Sequence, residues 1–275
     1  MRLIMDNKTF CLKAGSSWMV VTCLRYLCFL GYFLSSQTLA QVWGENFDGA
    51  LTPIGASFIR HPLVELVKDE GVDASQSIKV RYEGYELGSR RVVVRAALPN
   101  SSAAYTLSFS VKFCQGFDFA KGGKLHGLGP IEVISGGKPV VPLGWSARLV
   151  FGREGGLMTY VYHQDQKGKF GDTRKALGFR FKPGRYYRLA MTVELNDPPS
   201  SANGKVTVRV DNKVRIVHER LRFRGIDGEA GLIQSLLFST FHGGGSPEWA
   251  PRTADGSYKT DCAYFDDWAV SNYHK

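Results

Sequence analysis

Along residues 145–151 apolar and polar positions alternate. Trp145, Ala147, Leu149 and Phe151 fall on one side, Ser146, Arg148 and Val150 on the other, the period-2 pattern of a half-buried strand. A glycine-rich turn follows at residues 152–156. Beyond it Met158, Tyr160 and Tyr162 share one face, and Thr159, Val161 and His163 the other. A turn centred on Glu154 folds the two runs into a hairpin with Arg148 opposite Tyr160 and Ser146 opposite Tyr162. Directly opposed residues in such a pair stand about 5 Å apart. The same reading finds strands at residues 78–82, 91–98, 105–113, 186–195, 206–210, 214–217, 236–241 and 262–270, with one short helix at 63–68. Pro99-Asn100, Lys182-Pro183-Gly184, Asn203-Gly204, Asp211-Asn212 and Gly243-Gly244-Gly245 punctuate them as turns. Many short strands and almost no amphipathic helix predict an all-β fold, an antiparallel β-sandwich or jelly roll. Neither an internal repeat nor a linker divides residues 41–275, which read as one domain.

Residues 1–40 read as an address. Residues 26–34 form an apolar core, and Thr38-Leu39-Ala40 offers a small-residue cleavage site before Gln41. Arg25 interrupts the apolar run counted from Trp18, and a true start at Met19 removes that difficulty. The core falls short of the roughly 20 residues a membrane span needs. The expectation is a signal peptide and a secreted or periplasmic product, without stable membrane insertion. Its removal takes three of the five cysteines. Cys114 and Cys262 then remain, on predicted strands, and either a disulfide or two buried thiols fits them.

Charge narrows the partner. At 275 residues with 44% hydrophobic positions the chain can bury a substantial core, and its net charge of +10 calls for an acidic partner. Nucleic acid is excluded by the lack of zinc-ligand spacing, of a recognition helix and of a long basic run. No metal-ligand spacing and no cofactor fingerprint stand out, so none is expected, and the chain reads as a monomer.

The polar tile of Ser146, Arg148, Tyr160 and Tyr162 has a bland reading, a solvated sheet surface. A second reading comes from the preceding Gly122-Gly123-Lys124-Leu125-His126-Gly127, where glycines let backbone approach a ligand closely around a lysine. Together with Phe117-Asp118-Phe119, Lys121-Gly122-Gly123-Lys124-Leu125, Ser146-x-Arg148 and Tyr160-x-Tyr162, this run resembles polysaccharide lyase family 14, the alginate and glucuronan lyases, and the related family 20 glucuronan lyases. The resemblance continues through Phe238-Ser239-Thr240-Phe241-His242-Gly243-Gly244, Trp249-Ala250-Pro251 and Tyr264-Phe265-Asp266, spanning about residues 75–272. His126 and His242 depart from the family pattern, the first standing where proline is common and the second where an aromatic is expected. The resemblance implies a jelly roll with a concave cleft and an active site of Lys124, Ser146, Arg148, Tyr160 and Tyr162.

The residues themselves suit that chemistry. β-Elimination of a 4-linked uronate needs the C5 carboxylate neutralised, a base for the C5 proton and an acid for the departing O4. Arg148 offers a planar fork for a carboxylate and Lys124 a movable charge. Tyrosine serves acid–base work where cations stabilise its phenolate, and Ser146 would orient substrate or a tyrosine hydroxyl. The sequence leaves open which of Lys124, Tyr160 and Tyr162 is base and which acid. A loop carrying Lys124 is expected to close over the tyrosines. His126, His242, Trp249 and Lys121 are candidate substrate-binding residues, whereas His163 falls on the opposite face and reads as structural. The expected partner is an anionic polysaccharide. A non-catalytic lectin-like protein would share the jelly roll but not need the converging lysine, arginine and tyrosines. A glycoside hydrolase needs two suitably spaced carboxylates, which the chain does not offer on one strand face.

Overall fold

The computed structural model describes residues 40–273; the expected leader of residues 1–40 lies outside them except for Ala40. Fifteen strands occur among the described residues: β1 (Gln41–Glu45), β2 (Val64–Val67), β3 (Ser77–Tyr85), β4 (Gly88–Ser89), β5 (Val92–Ser102), β6 (Ala104–Phe113), β7 (Gly122–Gly129), β8 (Ser146–Gly152), β9 (Gly156–Tyr162), β10 (Asp172–Arg180), β11 (Tyr186–Glu194), β12 (Gly204–Val210), β13 (Lys213–Leu221), β14 (Ile233–His242) and β15 (Thr260–Asn272). They form two antiparallel sheets. One has nine strands, in the order β13-β12-β11-β6-β15-β3-β2, with β1 on β15 and β4 on β3. The other has six, β10-β9-β8-β7-β14-β5. The chain crosses between the sheets at β4–β5, β5–β6, β6–β7, β10–β11, β13–β14 and β14–β15, and the two facing antiparallel sheets make the jelly roll expected from the pattern.

Between the sheets lies an aromatic core. Phe109 stacks on Trp268 at 4.9 Å, and Phe113, Phe117, Phe119 and Phe151 meet edge-on or tilted at 4.7–5.9 Å, geometries that add to the area such rings bury. From the six-stranded sheet Trp145, Ala147, Leu149, Phe151, Leu157 and Val161 point into this core, as their alternation predicts. A disulfide joins Cys114, just beyond β6, to Cys262 on β15, with Cα atoms 5.3 Å apart. This decides the pairing the sequence left open. β15 is internal: Phe265 is fully buried, while Lys79 and Lys112 stand over the Tyr264 ring on its opposite face.

Two local expectations are corrected, and one strand was not expected. Residues 63–68 are not a helix: Val64–Val67 is a strand against β3, and the helix α1 is Pro53–Ile59. Its start signal was available, since Thr52 caps it by accepting from Gly55 N and Pro53 opens it. The glycine–lysine run is not a loop but β7, hydrogen-bonded between β8 and β14. Lastly, β10 pairs with β9, although its exposed, charged sequence carries little alternation.

Candidate active site

The hairpin of β8 and β9 forms in the predicted register: Arg148 faces Tyr160 and Ser146 faces Tyr162. Glu154 takes the left-handed turn conformation at its tip, φ 57°. Because the alternate residues fill the core, this polar set lies on the face of the six-stranded sheet turned away from the nine-stranded one.

β7 brings in Lys124 through a bulge. Lys124 pairs with Val150 of β8, but the next register partners are Gly127 and Arg148, so Leu125 and His126 of β7 oppose the single Leu149 of β8. The extra residue lets Leu125 and His126 both turn inward, where each is fully buried. Lys124 and Gly127 are thereby left on the outer face. Gly127 has no room for a side chain: a Cβ there would lie 2.2 Å from the Ala147 carbonyl oxygen and 2.7 Å from Arg148 Cγ. The Arg148 side chain therefore lies directly over β7. Lys124 rises from the floor of the sheet rather than closing over it as a loop, and its Nζ sits 3.5 Å from the centre of the Tyr160 ring. The Tyr160 and Tyr162 hydroxyls are 3.2 Å apart, their rings perpendicular.

Residues 130–145 wall one end of this arrangement. Ser146 Oγ donates to the Ile134 carbonyl at 2.6 Å, and Gly137 N donates to the Tyr162 hydroxyl at 2.9 Å. Tyr162 and Ser146 are consequently fully buried, whereas Tyr160 keeps an open edge. That difference separates two tyrosines the sequence treated alike.

The electrostatics are those of an unfilled anion receptor. Arg148 is only 8% exposed and its Nε has no hydrogen-bond partner. Among the described residues no carboxylate lies within 4 Å of Lys124, Arg148, Arg91 or Arg95. Burying a cation without a partner is costly. Its effect appears in titration: burial, then the guanidiniums of Arg148 and Arg91, draw the Lys124 ammonium down to about 7. Burial lowers Arg148 to about 10 against the opposing influence of the two phenols, so it stays cationic at neutral pH. Tyr160 moves the other way. Burial and then the hydrogen bond to Tyr162 push its phenol above the ordinary value, opposed by the Gly171 backbone and by Arg148.

The other sequence candidates lie elsewhere. His126 is sealed in the core, stacked on Phe238 at 4.8 Å and accepting from Ser239 N at Nδ1. His242 is also fully buried, stacked on Phe117, with Nε2 2.7 Å from the Asp118 carbonyl oxygen. Both pack among core aromatics, and neither is placed to touch a substrate. His163, read as structural, is buried with Nε2 2.9 Å from Asp172. Lys121 is ion-paired with Glu248 at a separate groove. Trp249 is half-buried with its indole laid on Gly244. Sequence reasoning missed Arg91, whose guanidinium stands 5.3 Å from the Phe241 ring, and Arg95, which donates to the Ile131 carbonyl. Their signal was the spacing Arg91-x-x-x-Arg95 on one face of a strand whose alternate residues are core.

The polysaccharide lyase 14 profile matches residues 75–262, a span that contains every element of this site. The chain belongs to polysaccharide lyase family 14. No curated protein sequence matches it significantly. Among solved structures, the marine family 14 alginate lyase from Aplysia kurodai superposes with a TM-score of 0.66 at 19% identity, covering 85% of this chain and 100% of its own. The alginate lyase Aly36B gives 0.65 at 20%, covering 86% and 98%. The endo-β-1,4-glucuronan lyase of the fungus Trichoderma reesei gives 0.52 at 12%, covering 76% and 87%. These likenesses establish the family's jelly-roll fold. Within the family 14 scaffold, Lys124, Arg148, Tyr160 and Tyr162 converge on one face with Ser146 supporting them from below the residue 130–145 wall.

Proposed function

We propose that the protein is a polyuronate lyase, cleaving a 4-linked polymer of the alginate or glucuronan class by β-elimination to leave a 4,5-unsaturated uronate end. One observation carries the reading: a lysine of depressed basicity lies 3.5 Å over a tyrosine ring, beside a buried arginine with no acidic partner. Arg148 would take the C5 carboxylate of the reacting uronate through paired charge-assisted hydrogen bonds. Withdrawing that negative charge makes the C5 proton acidic and stabilises the enolate-like transition state.

Lys124, drawn down to about 7 and so neutral in a large fraction of molecules at that pH, then accepts the C5 proton on Nζ. The C5–H electron pair forms the C4=C5 double bond and the C4–O4 bond breaks. Tyr160, held protonated by its surroundings, gives its proton to the departing O4. This leaves Lys124 as ammonium and Tyr160 as phenolate, and transfer of the proton between them restores the starting state. Tyr162, anchored by Gly137 N, orients the Tyr160 hydroxyl, and Ser146 holds the residue 130–145 segment in place. The polyuronate class is supported by the family and by the unpaired cations, and a lectin would need no such proton-transfer pair. Export is the second part of the proposal, supported by the leader-like residues 1–40 and by the disulfide, which suits an oxidising compartment.

The test is Tyr160→Phe, which keeps ring and stacking but removes the hydroxyl. It should fold, bind polyuronate and lose about 10²–10⁴ in turnover, the usual worth of general acid–base catalysis. Turnover is followed by the ultraviolet absorbance of the unsaturated product. Retention of full activity would refute the assignment, and the absence of elimination by the unaltered protein on alginate, polymannuronate, polyguluronate and glucuronan would refute the lyase reading itself.

A further inference from the structure

The register of the six-stranded sheet places outer-face residues in rows that cross every strand. One row runs from Arg91, just before β5, through Phe241 on β14, Lys124 on β7, Val150 on β8 and Met158 on β9 to Lys175 on β10. The next runs from Arg95 on β5 through Leu237, Gly127, Arg148 and Tyr160 to Thr173. On the β5 side each row ends on an arginine. Val92, Ala96 and Leu98 point into the protein, so Arg91, Val93 and Arg95 share the outward face, and both arginines are exposed.

Neither arginine has an acidic partner among the described residues. Beyond Arg91 the surface continues as a groove of about 590 Å³, which Arg91 lines together with His61, Arg81, Tyr85 and Arg90. Its one carboxylate, Glu83, is shared by Arg81 at 3.6 Å and Arg90 at 3.4 Å. Positive charge is therefore in surplus from the centre of the sheet to its β5 edge and past it. Neighbouring strands lie about 4.8 Å apart, close to the advance of one 4-linked pyranose along its polymer, so a chain laid across the strands meets roughly one strand per sugar.

Building on the polyuronate reading, we propose that the substrate crosses the strands and that Arg91 and Arg95 form a distal subsite for uronate carboxylates. This subsite lies two strands from Lys124 on the β5 side, and the groove at Tyr85 and Arg90 receives the next sugar. The arginines are binding and specificity residues, remote from the reacting bond. They select a polymer charged at every residue over one charged only at the cleavage point, and they favour long chains over short ones.

The experiment uses Arg91→Gln, Arg95→Gln and the double variant, with Lys213→Gln at the start of β13 as a surface-charge control. Two readouts are taken: KM and kcat on oligouronates of increasing length, and calorimetric affinity for the same oligomers in a Tyr160→Phe background, where turnover does not intervene. The expected result is a loss of affinity of about tenfold per arginine, the value of one charge-assisted contact. KM should rise in parallel, kcat should be unchanged on the alkaline plateau where Lys124 is neutral with or without the Arg91 charge, and the penalty should grow with chain length until the subsite is filled. Equal KM for variants and parent at all lengths would overturn the proposal. So would a fall in kcat with a shifted pH profile at unchanged affinity, since the arginines would then act by tuning Lys124. Tight oligouronate binding without any elimination by the parent would leave the arginine subsite measurable by calorimetry while refuting the lyase reading.

Discussion

Lys124 is held in a state that costs the fold stability, and replacing it tests the electrostatics of the site without reference to activity. Its ammonium titrates near 7 in the folded protein against 10.5 for an unperturbed lysine. Between those values the unfolded chain binds a proton that the folded chain does not, so unfolding free energy rises with pH by up to about 1.4 kcal/mol per unit. Integrated from pH 7 to 9, this one group contributes about 2 kcal/mol. Rotation of the partly exposed side chain toward water would reduce it to on the order of 1 kcal/mol. Lys124→Met keeps a flexible chain of similar length and removes the proton. The variant should therefore be more stable than the parent at pH 6–7, and the advantage should shrink by about 1–2 kcal/mol by pH 9. Loss of the ammonium over the Tyr160 ring works against the gain at low pH, by about 1 kcal/mol. Urea unfolding of both proteins at pH 6, 7, 8 and 9 measures the difference, in which groups common to both cancel. A difference that does not vary with pH, or that grows as pH rises, would show that Lys124 is not depressed and would remove it as the base. In the parent, the same titration should appear as an acid limb in kcat/KM near pH 7.

Acid should loosen the core. His126, His218 and His242 are buried, and burial lowers each below 6.5, His218 and His242 to about 4; unfolding free energy should thus fall as pH drops below 6.5, by up to about 1.4 kcal/mol per unit for each imidazole. A pH-independent stability from 6.5 to 4.5 would contradict their neutral burial. The Cys114–Cys262 disulfide closes a separation of 148 residues, so joint replacement by serine should cost about 2–5 kcal/mol in denaturant unfolding, with kcat retained because the bond lies in the other sheet. Loss below 1 kcal/mol would mean that the unfolded state is already constrained there.

How much of this was legible in the sequence follows from what sets each feature. The β8–β9 hairpin was readable because alternation fixes the face of every residue and the glycine-rich turn fixes the register. The pairing of Arg148 with Tyr160 and of Ser146 with Tyr162 therefore needed no tertiary information. β7 was not readable. Its glycines signal a loop by composition, yet here they serve close packing: Gly127 yields its side-chain space to Arg148, and Gly123 to the Phe151 ring. The bulge at Leu125 and His126 breaks the period of two, and alternation alone could not place Lys124 and Gly127 on the same face. Burial of His126 and His242 was equally hidden, because an imidazole accepted by an aromatic cage looks in sequence like a site residue. The bulge also explains how the centre forms. Regular pairing puts Lys124 across from Val150, in the row of Met158, one row away from Tyr160. The added residue keeps Lys124 and the side-chain-free Gly127 on the same outer face, so Arg148 lies over Gly127 and the Lys124 side chain reaches across the row boundary to the Tyr160 ring, its Nζ 3.5 Å from the ring centre. The acid–base pair thus depends on an irregularity in a strand that contributes neither tyrosine nor arginine, and deleting one residue from the bulge should separate Lys124 from Tyr160 while leaving the β8–β9 hairpin intact.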